Sequence, residues 1–181
     1  DLATGISEMA DNSAYGAWGR TQEGYYLLDA GHWNIGFDSL VNKMKFLFEN
    51  SRPRPQHILV EEAGTSIPVI QYLRAHTRLP LVPIKPGSRD GVARLKGVQG
   101  LIEAGRVWVP AMAPWLQDWM DEMAVFPNSK HKDDQVISMI QALAWLDRSG
   151  MGQQRGATLE RTDEGSWRRQ QFGRRSTTLE R

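Results

Sequence analysis

The stretch QHILVEEAGTSIPVIQYLRAHT, residues 56–77, decides the fold. Its first half is a short aliphatic run bounded by proline and glycine, the signature of a buried strand. Its second half reads as a helix that Thr65 or Ser66 can cap, with Pro68 tolerated in the first turn. The same strand-then-helix order recurs downstream. LPLVPI (79–84) is a short strand, and RDGVARLKGVQGLIEAG (89–105) is a helix weakened by Gly97 and Gly100 and stopped by Gly105. RVWVP (106–110) gives another strand, and APWLQDWMDEMAVFP (113–127) an amphipathic helix with Trp115, Leu116, Trp119 and Met123 on one side. In KHKDDQVISMIQAL (130–143), Val136, Met139, Ile140 and Leu143 recur at the helical period and turn one face to a core.

Upstream of the opening stretch the pattern differs. SAYGAWGR (13–20) and GYYLLDAGHW (24–33) are rich in aromatic and β-forming residues, and the TQE between them is short enough for a hairpin. FDSLVNKMKFLFEN (37–50) follows as a helix with Phe37, Leu40, Val41, Met44, Leu47 and Phe48 on one face, broken by SRPRP (51–55). Strands first, then alternating βα units: this order points to an α/β fold, a mixed β-sheet with helices on both faces.

Composition sets outer bounds. The 181 residues suffice for one domain, or one domain with a tail. A net charge of +1 decides nothing about nucleic acid, because the average hides the distribution. The chain has no cysteine, which excludes disulfides, Cys-zinc sites and thiol chemistry and suits a reducing cytoplasm. No apolar run approaches the ~20 residues of a membrane span, and no signal peptide opens the chain. Asp1 in place of a methionine suggests a processed or truncated piece. From residue 150 the periodicity dissolves, and residues 150–181 hold seven Arg against four acidic residues. The expected organisation is a folded domain over 1–149 and an Arg-rich, flexible tail over 150–181, either solvated or acting as a nucleic-acid arm.

Three acidic groups terminate elements that ought to be buried. They are Asp1, the pair Glu61 and Glu62 at the end of an apolar strand, and the pair Asp133 and Asp134 in the first turn of the last core helix, just after His131. In an α/β sheet, strand carboxyl ends and helix amino ends collect on one edge, where sites form. Carboxylates gathered there cost many kcal/mol unless cations neutralise them. Hard divalent ions with oxygen ligands are the natural solution, and two of them side by side suit phosphodiester hydrolysis. Each group also has a structural use. Asp133 and Asp134 can complement a helix dipole, Glu61 or Glu62 can cap the next helix or pair with Arg74, Asp1 can be an exposed end, and His131 a loop residue.

These residues, taken in order, resemble the C-terminal nuclease domain of the large terminase subunit of tailed bacteriophages. The matching pieces are DLA at the start, SAYGAWG with GYYLLDAGHW, HILVEEAG, GLIEAGRVWVPAMAPWLQDWMDEMAVFP and HKDDQV, spread over residues 1–149. The resemblance implies an RNase H-like fold of three antiparallel strands followed by parallel strands with intervening helices. It implies an endonuclease, a hydrolase that cuts concatemeric DNA for packaging and holds two Mg²⁺ or Mn²⁺ ions as cofactors. By position, Asp1, Glu61 and Asp134 match the catalytic, metal-holding acids, with Glu62 as the alternative to Glu61, Asp133 beside Asp134, and His131 at a spacing where some family members bring a histidine near the metals. Lys85, Arg89, Arg94 and Lys96, within IKPGSRDGVARLK (84–96), together with Lys130 and Lys132, read either as contacts to DNA phosphates or as a solvated charged face.

The implied partners are double-stranded DNA, a terminase small subunit and a portal protein, in the cytoplasm of a bacterial host. Two departures stand out. The family often has an acid where this chain has Ile137, and its first strand extends upstream of the acid that here is residue 1. No G-x-x-x-x-G-K-[ST] loop occurs, so ATP-driven translocation does not reside in this chain. Trp115, Trp119 and Trp145 fall at helical spacing and read as core rather than as stacking platforms. A junction resolvase with the same acids, or a non-catalytic DNA-binding or assembly module, are the competing readings.

Overall fold

The computed structural model describes residues 11–64, 66–85, 91–127, 133–150 and 167–169. In chain order these form β1 (Asp11–Arg20), β2 (Tyr25–Ile35), α1 (Phe37–Asn50), β3 (Ile58–Glu61), α2 (Ser66–His76) and β4 (Leu81–Ile84). There follow α3 (Gly91–Glu103), β5 (Val107–Pro110), α4 (Leu116–Val125), α5 (Asp134–Gly150) and β6 (Trp167–Arg169). Among the described residues no helix is long and apolar enough to cross a membrane. The chain divides into two compact units, one of residues 1–15 and 32–90, the other of residues 16–31 and 91–181.

The first unit is built on the opening βα unit. β3 and β4 pair in parallel, with Ile58 opposite Leu81 and Glu61 opposite Ile84. Its core gathers Val41 of α1 with Val69 and Leu73 of α2, flanked by Phe37, Leu40, Met44, Leu79 and Leu81. The α1 face read from the sequence is therefore the buried one. α1 ends where the Ser51 N–H (2.9 Å) and hydroxyl (2.6 Å) both donate to the Leu47 carbonyl, just ahead of the Pro-rich breaker.

The second unit holds the larger core. Tyr25, Leu27 and Ala30 of β2 meet Val98 and Ile102 of α3, Val107 and Val109 of β5, Trp119 of α4, and Val136, Met139, Ile140 and Leu143 of α5. All four residues of the periodic face of α5 are thus buried. Trp115 packs against this core beside the fully buried Trp119, while Trp145 is half-buried. The Tyr25 hydroxyl, carried into the interior, donates to Asp147 at 2.7 Å. Burial, and after it that hydrogen bond, push the phenol up to about 12.

The strand arrangement meets the expectation in part. First, the described strands form two hydrogen-bonded sets, β1-β2-β5-β6 and β3-β4, rather than one sheet. Second, of the three antiparallel strands expected at the start, two are described, and the DLATG segment lies outside the described residues. The turn Thr21–Gly24, closed by a Thr21 N–H to Gly24 carbonyl bond of 2.9 Å, is so short that β1 and β2 must run antiparallel. Third, in keeping with a mixed sheet, β5 joins β2 in parallel, with Tyr25 opposite Val107 and Tyr26 opposite Trp108.

Gly24 makes that last pairing possible. A Cβ there would stand 2.1 Å from the Arg106 carbonyl oxygen, the atom that accepts the Tyr25 N–H at 2.8 Å. The rings of Tyr26 and Trp108 stack across the junction, 5.9 Å apart. β6, in the segment where the sequence showed no periodicity, pairs antiparallel with β5, Trp108 opposite Arg169 and Pro110 opposite Trp167.

Candidate functional site

In the first unit the parallel ladder delivers two carboxylates to its carboxyl end. Glu61 is the last residue of β3, and the Glu62 N–H still donates to the Ile84 carbonyl of β4 at 2.8 Å. Successive residues of an extended chain face opposite sides, so the two carboxylates diverge. Glu61 is half-buried and Glu62 exposed.

The turn that follows is tied down by Ser66, the first residue of α2. Its hydroxyl proton lies between the Ala63 carbonyl (2.6 Å) and the Glu61 carbonyl, either of which can accept it, and its oxygen accepts the Ala63 N–H (3.1 Å). Gly64 takes a φ of +51°, the left-handed region where glycine carries no Cβ penalty. Lys85, exposed, directly follows Ile84 on the neighbouring strand. Arg74 lies eight residues into α2, about 12 Å along its axis from Ser66. That places it near the carboxyl end of α2, whereas Glu61 and Glu62 precede its amino end.

In the second unit the acids head α5. The Ile137 N–H donates to the Asp133 carbonyl at 2.9 Å, which makes Asp133 the N-cap and Asp134 the first helical residue. Asp133 therefore sits one position outside the first turn assigned to it from the sequence. Asp133 is exposed and Asp134 half-buried. The helix amino end is satisfied by a different acid. Glu122 of α4 accepts from the Gln135 N–H (2.6 Å) and the Val136 N–H (3.2 Å) with Oε1, and from the Gln135 side-chain amide (2.9 Å) with Oε2. Gln135 is only 3% exposed. The N–H groups of the second and third helical residues, which an N-cap side chain usually takes, are thus occupied by Glu122.

Ile137 packs against the core of this unit. A Cβ placed on Gly91, at the start of α3, would stand 3.1 Å from the Phe126 ring and 3.4 Å from Ile137. The amino end of α3 thus lies against the first turns of α5. Arg94, half-buried, is one helical turn further along α3, and Lys96 is exposed.

Of the site residues read from the sequence, Glu61, Glu62 and Lys85 share the carboxyl end of the β3–β4 pair. Asp133 and Asp134 share the amino end of α5, with Arg94 and Lys96 on the helix packed beside it. Asp1, Arg89, Lys130, His131 and Lys132 lie outside the described residues. Among the described residues no group of three or more His, Asp or Glu could hold a metal ion. Two participants take roles that local sequence does not reveal. Ser66, a cap candidate by sequence, clasps the turn that carries the acids. Glu122 was passed over although it falls three residues after the buried Trp119, on the core-facing side of α4, where a carboxylate must find a partner.

Carboxylates at the carboxyl end of a parallel strand and at the amino end of a core helix, within an α/β fold holding a mixed sheet, are consistent with the RNase H-like class. The family model described as the terminase RNaseH-like domain matches residues 1–145, and the chain belongs to that family. It is a nuclease-type domain of a terminase. Comparison with curated proteins gives no significant match, and comparison with solved structures gives none either.

Proposed function

We propose that this domain is a divalent-metal-dependent endodeoxyribonuclease that cuts concatemeric viral DNA during genome packaging. The observation that carries the reading is the family match over residues 1–145, a span that includes the six candidate ligands. The positions of Glu61 at a strand carboxyl end and of Asp134 at a helix amino end support it.

The donor chemistry fits hard divalent ions. Five of the six candidates, Asp1, Glu61, Glu62, Asp133 and Asp134, offer carboxylate oxygens, and His131 adds an imidazole. Asp1, Glu61 and Asp134 would hold two Mg²⁺ or Mn²⁺ ions, with Glu62 as the alternative to Glu61 and with Asp133 and His131 nearby in sequence. When bound, such ions supply Lewis acidity and lower the pKa of water for in-line phosphodiester hydrolysis, giving a 3′-hydroxyl and a 5′-phosphate. The chain itself contributes position. Ser66 fixes the turn behind Glu61, and Glu122 fixes the helix behind Asp134.

Lys85, Arg89, Arg94, Lys96, Lys130 and Lys132 would contact phosphates of double-stranded DNA and hold it without reading bases. The packaging role brings a terminase small subunit and a portal protein as partners in the host cytoplasm. Incubating supercoiled plasmid with the protein and Mn²⁺, against an EDTA control, tests the reading: nicked and linear products with Mn²⁺ alone are expected. A gel shift without cleavage would refute it and favour a non-catalytic DNA-binding module, the reading that Ile137 in place of an acid keeps in play. Strong preference for four-way junctions over linear duplex would point instead to a resolvase.

A further inference from the structure

We propose that Glu122 is a positioning residue for the acid pair Asp133–Asp134, setting the affinity of that pair for a divalent cation. The inference rests on the nuclease reading above and adds a residue to it. The amino end of any helix leaves N–H groups without partners, and the N-cap side chain is their usual acceptor. In α5 that position belongs to Asp133, yet Glu122 takes the Gln135 and Val136 N–H groups at 2.6 and 3.2 Å. Its second oxygen is tied by the Gln135 side-chain amide at 2.9 Å. Three hydrogen bonds from a carboxylate 13 residues upstream of Gln135 thus clamp the first turn of α5 to α4.

Two consequences follow. Capping by a distant acid removes the reason for Asp133 to fold its carboxylate back onto its own helix. Clamping also fixes the rotational phase of the turn that carries Asp134, in the way that outer partners of a metal site orient its ligands. The negative charge of Glu122 is itself stabilised by the helix dipole, so the clamp holds without a counter-cation.

The test compares wild type, E122A and E122Q at a temperature well below their melting points. Two readings are taken: Mn²⁺ binding by calorimetry, and the Mn²⁺ concentration giving half-maximal plasmid nicking. E122A leaves two backbone N–H groups without their acceptor, and its half-saturating Mn²⁺ is expected to rise by about 10-fold or more. E122Q keeps all three bonds once the Gln135 amide turns over, and it restores a value within about threefold of wild type. If E122A does not fold, E122D, which keeps the charge but shortens the reach, takes its place with the same expected rise. A purely structural role lowers the melting temperature and leaves the Mn²⁺ dependence unmoved. That result, in a wild type that binds Mn²⁺ and nicks, overturns the positioning role alone. A wild type that neither binds Mn²⁺ nor nicks overturns the nuclease reading and the positioning role together.

Discussion

Glu61 and Glu62 are neighbours in sequence with opposite orientations, and that geometry makes their roles separable. Glu61→Gln keeps the shape and the Ser66 clasp on the backbone but deletes one negative charge. With a cation site at this strand end, nicking falls by about 10²-fold or more while the melting curve stays put. Asp134→Asn behaves likewise. Glu62→Gln, on the other face, is expected to act mildly; if it abolishes nicking while Glu61→Gln does not, the ligand is one residue further along the strand. A second residue-scale prediction concerns Tyr25. Its phenol is raised to about 12 in the fold, against an ordinary value near 10. The unfolded chain releases that proton first, so the stabilisation is complete below about pH 10 and is lost as pH climbs towards about 12. Urea melts in that window should show stability falling with pH, by something on the order of 2 kcal/mol in all. Tyr25→Phe should flatten that slope and, by leaving the Asp147 carboxylate without its donor, cost about 1–2 kcal/mol at neutral pH.

At the scale of elements, glycine separates two kinds of backbone demand. A Cβ at Gly24 meets the Arg106 carbonyl oxygen at 2.1 Å, whereas one at Gly97 meets nothing within 4 Å. Gly24→Ala must push β2 away from β5 and is expected to cost about 1–3 kcal/mol, seen as a melting point several degrees lower. Gly97→Ala, inside α3, should raise stability by about 0.8–1 kcal/mol through helix propensity alone. A Gly24→Ala protein as stable as wild type would mean that the strand junction is not as tight as its geometry indicates. The same contrast marks what the sequence could reveal. The hairpin, the buried face of α1, the βα unit at 56–77 and the buried face of α5 were legible because each is written in local periodicity and punctuation. The β2–β5 pairing was not, since nothing local ties Tyr25 to Val107 some eighty positions away. Nor was the cap on α5: the expected acceptor was adjacent, and the one used comes from another helix. The acids at the two element ends were visible as residue types. Their bonding partners, Ser66 and Glu122, needed the fold.

For the molecule as a whole, the open matter is what the segment beyond α5 contributes. Read as sequence it is an Arg-rich tail, yet Trp167–Arg169 pairs with β5, a strand that β2 borders on its other side. A bare strand edge offers unpaired N–H and C=O groups to other chains. β6 thus covers the edge of β5 as well as adding a short ladder, and the Arg-rich composition of the segment is a second, separate contribution to test. These two contributions separate in a chain ending at residue 149. Among the described residues the core lies wholly before the cut, so the shortened chain is expected to melt cooperatively, a few degrees below the full chain. The uncovered edge of β5 should also make it self-associate, visible as a concentration-dependent mass in light scattering. DNA affinity reads out the second contribution. If the arginines contact phosphates, the full chain binds more tightly than the shortened one and loses affinity more steeply with salt, each lost contact removing about 0.9 from the slope of log K against log salt. Equal slopes with unequal association states would leave the segment as an edge cover alone. A shortened chain that fails to fold would make β6 an integral strand and move the domain boundary past residue 169.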